Sequence, residues 1–211
     1  MEDYTRGGNM VEENTIKLLD VIKKQKNNDL IIFTTFTFDP IFFDGYILRK
    51  LKQNNPKALI IILIDAKMYS KLGDDFTRET GVEYALIPIA GNLFHSKIFL
   101  FASKSKKQVF LGSHNLTLTG FTQNLELSFD SEDDLLTDDC INYVGNLLKK
   151  NLTGKNPWLT KIEPYMSKIE NDIVITNETE PILEQCINKI SKQVSSIKEI
   201  IIFSPYFSKV D

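Results

Sequence analysis

The sequence has little of what would stabilise a small secreted fold or a membrane-bound one. It contains two cysteines, Cys140 and Cys186, too few for a disulfide framework or a cysteine-based zinc site. Its longest apolar run, from Ala58 to Ile64, is far shorter than the roughly 20 residues of a membrane-spanning helix. The first residues are rich in charge, and no apolar stretch follows them, which predicts no signal peptide. We therefore expect a cytoplasmic protein with free thiols and no membrane partner.

Acidic residues are absent from one long stretch. Residues 84–125 contain no Asp or Glu, although the chain average of 28 in 211 predicts about five or six there. The stretch carries four lysines and both histidines, and residues 130–139 directly after it carry six acidic residues. A region kept free of negative charge suits the binding of an anion. A lysine-rich hairpin loop beside an acidic helix start explains the same pattern equally well.

The first part of the chain alternates helices with strands. Residues 11–26 have apolar side chains at helical spacing, and Pro40 opens a second amphipathic segment that ends before Pro56. Strands rich in Ile, Leu or Phe are predicted at 30–38, 58–64 and 82–89. This alternation indicates an α/β fold, which we predict to be an α/β/α sandwich with a mixed, largely parallel central sheet.

The second part predicts hairpin-like pairing and then a domain boundary. Strand-like segments lie close together at 94–101, 108–111 and 125–129, and a helix is expected over 138–150. We assign residues 1–150 to one domain. Residues 151–211 are assigned to a linker, a helix and the first strand of a second, similar half, because 182–207 repeats the helix-then-strand pattern of 16–38. A chance likeness of two common helix–strand units is the alternative.

Five polar side chains recur at strand-like spacing within the acid-free stretch and just after it. Because residues two apart share a face of a strand, His95 and Lys97 are expected to point the same way. Ser113 and Asn115 would share a face in the next segment if its extended conformation continues through Gly112, and Glu126 follows in a third segment. Taken singly, each is an ordinary surface or turn residue. Taken together, they predict one polar site shared by neighbouring segments.

The five side chains suit phosphoryl transfer. A neutral imidazole such as that of His95 can attack phosphorus as a nucleophile. Lys97, Ser113 and Asn115 can supply positive charge and hydrogen-bond donors to the phosphoryl oxygens. Glu126 can orient the imidazole and fix its tautomer. Since no cluster with metal-ligand spacing is visible in the sequence, we expect metal-independent chemistry with no cofactor.

The motifs His95-Ser96-Lys97 and Gly112-Ser113-His114-Asn115 resemble the His-x-Lys and Gly-Ser-x-Asn motifs of the phospholipase D superfamily. The family motif also has an Asp, whose position falls on Ala102 here. The run from Asn115 to Phe121 looks most like the prokaryotic nucleases of the superfamily, which include restriction and defence proteins. His114 fills a variable position of its motif and is assigned no role.

The resemblance implies a phospholipase D-like domain that cleaves phosphodiesters of DNA through a phosphohistidine intermediate. It also implies two histidines at each site, so the second must come from a homodimer or from a second half of the chain. RNA as the substrate and an ATPase or helicase partner remain open under the same resemblance. Two other functions compete with it. One is a phospholipid-modifying enzyme, and the other is a catalytically inactive half that serves in binding or dimerisation, which Ala102 and the single motif favour.

Overall fold

The computed structural model describes residues 18–73, 83–91, 93–124, 126–151, 157–168 and 182–193. The chain divides into two compact units, Met1–Asn171 and Asp172–Asp211. In the second unit, the described residues form one helix, Ile182–Gln193, which agrees with the helix expected there. The strand expected at 200–207 and the start of the helix expected at 11–26 lie outside the described residues. The boundary after residue 150 stays a prediction.

A six-stranded mixed sheet forms the centre of the first unit. Its strands lie in the order β3-β2-β1-β4-β5-β6. They are β1 (Leu30–Thr35), β2 (Leu59–Asp65), β3 (Ala85–Ile89), β4 (Ile98–Ala102), β5 (Lys107–Gly112) and β6 (Ser128–Ser131). The pairs β1–β2 and β2–β3 are parallel, whereas β4, β5 and β6 join by antiparallel pairing. Four of the six strands therefore point the same way, and the predicted mixed sheet is confirmed.

Helices connect the strands. They are α1 (Leu18–Lys24), α2 (Pro40–Phe42), α3 (Arg49–Asn54), α4 (Ala66–Tyr69), α5 (Leu118–Thr122), α6 (Asp134–Asn151) and α7 (Pro157–Ile162), with α8 (Ile182–Gln193) in the second unit. A π-helical turn, Phe43–Leu48, joins α2 to α3, and a 3₁₀ turn, Glu163–Tyr165, follows α7. Among the described residues, no helix combines the length and apolar character needed to cross a membrane.

Side-chain caps begin several of these helices, α2 and α5 among them. Pro40 starts α2 because its missing N–H costs nothing in the first turn, and the Asp39 side chain accepts a hydrogen bond from the Phe42 N–H at 3.0 Å. Thr117 caps α5 in the same manner through the Gly120 N–H at 3.1 Å.

The core lies on both faces of the sheet. Ile31 and Phe33 of β1 pack with α1 and with the helical segment from α2 to α3. The opposite face is covered by α6, which contacts β3, β4 and β5 and buries Ile141 and Val144. Since β1 is buried along its whole length, it is apolar rather than alternating until it reaches its two terminal threonines. Helices on two sides of one sheet confirm the predicted α/β/α sandwich.

Strand boundaries differ from the expected ones at the motif segments. The strand expected from residue 94 begins at Ile98, and the strand expected at 125–129 lies at 128–131. The reason is that the backbone of residues 94–98 bonds to side chains as well as to its neighbouring strand. The Phe94 N–H donates to Asp65, and the Ile98 N–H donates to Thr34. His95 and Lys97 therefore lie just before β4 rather than on it.

Two ion pairs account for part of the charge asymmetry. Lys106 pairs with Glu132 at 2.7 Å, and Lys107 pairs with Asp138 of α6. Lysines of the β4–β5 hairpin thus neutralise the acidic segment that follows the acid-free stretch. For these two lysines the structural explanation, a basic hairpin beside an acidic helix start, is correct.

Candidate active site

Two buried threonines fasten both motif segments to the end of β1. The Thr34 hydroxyl accepts a hydrogen bond from the Ile98 N–H at 2.7 Å and donates to the Ser96 hydroxyl at 3.2 Å. The Thr35 hydroxyl accepts from the Leu116 N–H at 3.0 Å and donates to a backbone oxygen two residues on. Because buried polar groups are costly when unpaired, these bonds fix the segment before β4 and the segment after β5 at the carboxyl end of β1. We call this end of the sheet the His95 edge.

His95 and Lys97 meet at this edge. The Lys97 ammonium lies 2.8 Å from Nδ1 of His95 and 2.8 Å from the backbone oxygen of the same residue. Lys97 is only 8% exposed, whereas His95 is exposed and its ring packs on Phe36 with centroids 4.9 Å apart. The expectation that the two side chains share one side is consistent with this contact, although neither residue is in a strand.

The surroundings of His95 favour the neutral form of its imidazole. Partial burial lowers the pKa of His95, and the Lys97 charge lowers it further, while a backbone hydrogen bond and the Asp65 charge act to raise it. Burial also lowers the pKa of Lys97 to about 8, although the Glu126 carboxylate acts to raise it. While charged, the ammonium can only donate, so Nδ1 accepts and the ring proton of neutral His95 lies on Nε2.

Glu126 lies beside Ser113. The Ser113 hydroxyl donates to one carboxylate oxygen of Glu126, and the Asn124 amide donates to the other at 3.2 Å. The backbone holds this arrangement, since the Leu127 N–H donates to the Ser113 hydroxyl at 3.1 Å. Glu126 acts on Lys97 through its charge, but its hydrogen bonds are with Ser113 and Asn124. Its expected role of orienting His95 stays a prediction.

Asn115 shapes the turn that follows β1. Its carbonyl oxygen accepts hydrogen bonds from the backbone N–H groups of Phe36 at 3.1 Å and Thr37 at 3.3 Å, and the Thr35 hydroxyl lies 3.4 Å away. Since the oxygen is engaged in this way, the amide nitrogen is the group left to donate to a ligand. Phe36 links Asn115 to the histidine, because its N–H binds Asn115 while its ring packs on His95.

Asp65 is a functional candidate that the sequence reasoning missed. It ends β2, is 3% exposed, and one of its oxygens accepts the Phe94 N–H at 3.1 Å. The other oxygen accepts from the Lys67 and Met68 N–H groups in the first turn of α4, at 2.9 and 3.2 Å. Asp65 thereby positions the residue directly before His95. An available signal was the single acidic residue that ends the apolar run of β2 immediately before a helix.

His114 is buried rather than directed to solvent. Its Nδ1 lies 3.1 Å from the Ser128 hydroxyl, and its ring packs near Phe121 with centroids 5.8 Å apart. Burial lowers the pKa of His114, although the Glu126 charge acts to raise it. These contacts are those of an interior imidazole, and no catalytic role is assigned to it.

Ala102, at the family's Asp position, lies away from the site. It is fully buried at the end of β4, where its backbone oxygen accepts the Asp29 N–H at 2.8 Å. Four residue steps along the strand separate it from Ile98, a distance of about 13 Å. The departure from the family motif at this position therefore leaves the contacts of His95 and Lys97 intact.

Comparison of the sequence with protein-family models and with curated proteins gives no match. Among solved structures, the chain is similar to NucT from Helicobacter pylori, with a TM-score of 0.49 and 17% identity over 63% of this chain and 85% of NucT. It is also similar to Nuc from Salmonella typhimurium, described as a phospholipase D family member, with a TM-score of 0.44 and 16% identity over 66% of this chain and 89% of Nuc.

A third similar structure is a variant of yeast tyrosyl-DNA phosphodiesterase, with a TM-score of 0.40 and 18% identity. That match covers 54% of this chain and only 26% of the yeast chain. Because identity is low in every case, we draw the functional argument from the side chains of the site.

Proposed function

We propose that the chain carries a metal-independent phosphodiesterase site of the phospholipase D type, with DNA as its substrate. The observation that carries the proposal is the contact of the exposed His95 imidazole with the Lys97 ammonium. Asn115 and the Ser113–Glu126 pair lie at the same edge of the sheet. A nucleophile of lowered pKa beside a buried cation is the combination that attack on a phosphodiester needs.

Binding of a phosphate would change the His95–Lys97 contact. A phosphodiester anion competes for the Lys97 ammonium, which then leaves Nδ1 of the imidazole. The ring proton can move to Nδ1, so that Nε2 presents a lone pair to phosphorus. Attack forms a nitrogen–phosphorus bond and breaks the bond to the leaving oxygen, which takes up a proton. Water then attacks the phosphorus, gives up a proton and releases the imidazole.

A second imidazole would supply and recover that proton. One imidazole cannot act as the nucleophile and also as the leaving-group acid, because the two roles need opposite protonation states and opposite sides of phosphorus. We propose that it is His95 of a second copy, or a histidine of a second half of a longer protein. A cytoplasmic setting, a role in defence and an ATPase or helicase partner belong to the same proposal, and RNA is the alternative substrate.

The test combines cleavage with trapping of the intermediate. We expect cleavage of labelled DNA to survive EDTA and to fall at least about a thousandfold in His95→Ala. A covalent protein–oligonucleotide adduct should appear on a denaturing gel with the unaltered chain and not with His95→Ala. Activity abolished by EDTA and restored by magnesium would contradict the mechanism. Mass determination in solution shows whether active protein is a dimer, and robust turnover by a strict monomer would contradict the two-histidine arrangement.

The phospholipid-modifying alternative is separated by substrate. Vesicles of phosphatidylcholine and cardiolipin, assayed beside DNA, should give no product if the proposal is correct. The inactive alternative predicts no turnover of either substrate and no adduct.

A further inference from the structure

A cleft at the opposite end of the sheet combines three lysines with the single tryptophan of the sequence. It has a volume of about 380 Å³ and lies at the starts of β2 and β3. We call it the lysine cleft and define it by Lys52 of α3, Lys57 of the α3–β2 loop, and Trp158 and Lys161 of α7. Since β2 is seven residues long, the cleft is about 20 Å from the His95 edge.

The charges of the cleft favour an anion. Of the residues that the structure describes, three lysines and one acidic residue, Glu83, line it. Among the described residues, none of the three lysines forms an ion pair, whereas Lys106 and Lys107 of the β4–β5 hairpin do. Lys52 makes one long contact, 3.5 Å to the backbone oxygen of Ala58, which leaves most of its donor capacity for a ligand.

The cationic surface continues beyond the cleft. A neighbouring hollow of about 490 Å³ shares Lys52 and Glu83 with it and adds Arg49 and Asp44. Arg49 and Lys52, three residues apart on α3, lie on one side of the helix. Four cations arranged along two adjoining hollows suit a chain of phosphates better than one isolated phosphate.

Trp158 supplies the aromatic component. Its indole lines the cleft, and the Lys161 ammonium lies 5.1 Å from the ring centroid, within the range of a cation–π contact. This contact places the Lys161 ammonium beside the indole, so a phosphate bound by Lys161 would bring its nucleotide close to the ring. Stacking of unpaired bases on aromatic rings beside basic residues is the general way in which proteins bind single strands.

We propose that the lysine cleft is a binding site for single-stranded nucleic acid, separate from the His95 edge. Lys52, Lys57 and Lys161 contact the phosphates, and Trp158 contacts a base. The site adds a binding surface to the proposed function and does not depend on turnover at His95. A strand held there would be retained at a distance from the phosphate that is cleaved.

Because the sequence contains one tryptophan, indole fluorescence reports on this cleft alone. In the full chain carrying His95→Ala, which prevents cleavage, we expect an oligothymidylate of about 15 nucleotides to quench the fluorescence. The binding curve should coincide with the anisotropy of the labelled oligonucleotide. Anisotropy that rises while the tryptophan signal stays constant would place the strand elsewhere and overturn the proposal.

The triple variant Lys52→Ala, Lys57→Ala, Lys161→Ala should weaken binding at least about tenfold at ~50 mM salt. It should also reduce the slope of log affinity against log salt by about 2, since each lost contact to a single strand contributes about 0.7. The matched control removes three exposed lysines elsewhere, Lys26, Lys104 and Lys106, and so changes the net charge equally. If the two triple variants lose the same affinity, the loss reflects net charge rather than a specific site, and the proposal is contradicted.

The aromatic contact is tested by Trp158→Ala and Trp158→Phe. We expect Trp158→Ala to weaken binding about tenfold and Trp158→Phe to recover most of it, because an aromatic face is restored. Melting temperatures show whether Trp158→Ala has lost its fold, in which case the Phe variant and the lysine variants carry the test. Equal quenching by a duplex, or displacement of the strand by AMP at equal phosphate concentration, would show a different ligand and contradict the proposal.

Discussion

The two ends of the central sheet present positive charge in different ways. At the His95 edge, the backbone is fixed by hydrogen bonds to the side chains of Thr34, Asp65 and Asn115. At the lysine cleft, the hydrogen bond of the Lys52 ammonium within the described part of the chain is a long one, 3.5 Å to the backbone oxygen of Ala58. Bond cleavage needs reacting groups held in one geometry, whereas retention of a phosphate chain needs charge that can follow the ligand. The degree of fixation therefore distinguishes the proposed reactive end from the proposed binding end.

The largest effect is expected from His95→Asn, which keeps a polar side chain of similar reach but removes the nucleophile. We expect kcat to fall at least about a thousandfold. Because His95 is exposed, the free energy of unfolding should change by less than about 0.5 kcal/mol. Kinetics on a simple phosphodiester and urea unfolding measure the two quantities. A large loss of stability would show that His95 is a structural residue.

Two substitutions separate the two functions of Asn115, which are to accept backbone hydrogen bonds and to donate one to phosphate. Asn115→Asp keeps an oxygen for the Phe36 and Thr37 N–H groups, but it replaces the amide donor with a negative charge. We expect a folded protein with activity reduced at least about a hundredfold, because the carboxylate repels phosphate. Asn115→Ala removes the oxygen as well and should cost a further ~2 kcal/mol of stability. Full activity in Asn115→Asp would exclude a phosphate contact by this side chain.

The layers of the fold were predictable because burial leaves a strong pattern. β2 is apolar over its full length until Asp65, which is what a strand covered on both faces requires. Hairpin pairing in the second part of the chain was predictable from turn composition at the Ser-Lys-Ser-Lys-Lys connection.

The connections within the site were not predictable, because side-chain-to-backbone bonds leave no periodic signal. Thr34 is the last residue but one of β1, yet it bonds a residue 64 positions away. Asp65 looks like a helix cap in the sequence, and only the fold shows that its second oxygen holds the segment before His95. The lysine cleft was missed because its cations come from α3, a loop and α7, which are far apart in the sequence.

In the pH profile of activity, the fall on the alkaline side (the alkaline limb) should be caused by loss of the Lys97 charge. Its pKa is lowered to about 8 by burial, so the ammonium loses its charge as the pH rises through that value. We expect kcat/KM to fall about tenfold per pH unit above it. Lys97→Arg keeps its charge throughout this range, so the limb should move to higher pH. If activity still falls near pH 8 in Lys97→Arg, a group other than Lys97 causes the fall.

A moderate effect is expected from Thr34→Val, which keeps the shape of the side chain and removes the hydroxyl. The Ile98 N–H then loses its acceptor, and the free energy of unfolding should fall by about 1–3 kcal/mol. Thr34→Ser keeps the hydroxyl and should lose less. We expect Thr34→Ser to keep more activity than Thr34→Val, because the Thr34 hydroxyl also bonds Ser96, which lies between His95 and Lys97. Equal stability of the Val and Ser variants would show that this bond does not fasten the segment.

The smallest effect is expected from Lys106→Ala. This variant tests whether all lysines at the end of the sheet opposite His95 contribute equally to nucleic-acid binding. Lys106 is paired with Glu132, and both side chains are more than half exposed. Exposed ion pairs contribute little, so the free energy of unfolding should change by less than about 0.5 kcal/mol. Because the Lys106 charge is already neutralised by Glu132, we expect the affinity for single-stranded DNA to change less than twofold. We expect Lys52→Ala, which removes a charge without an ion-pair partner among the described residues, to weaken binding more than this. Binding titrations of the two single variants at the same salt concentration provide the comparison. If Lys106→Ala weakens binding as much as Lys52→Ala does, the strand follows the hairpin as well as the cleft, and ion pairing does not separate the two groups of lysines.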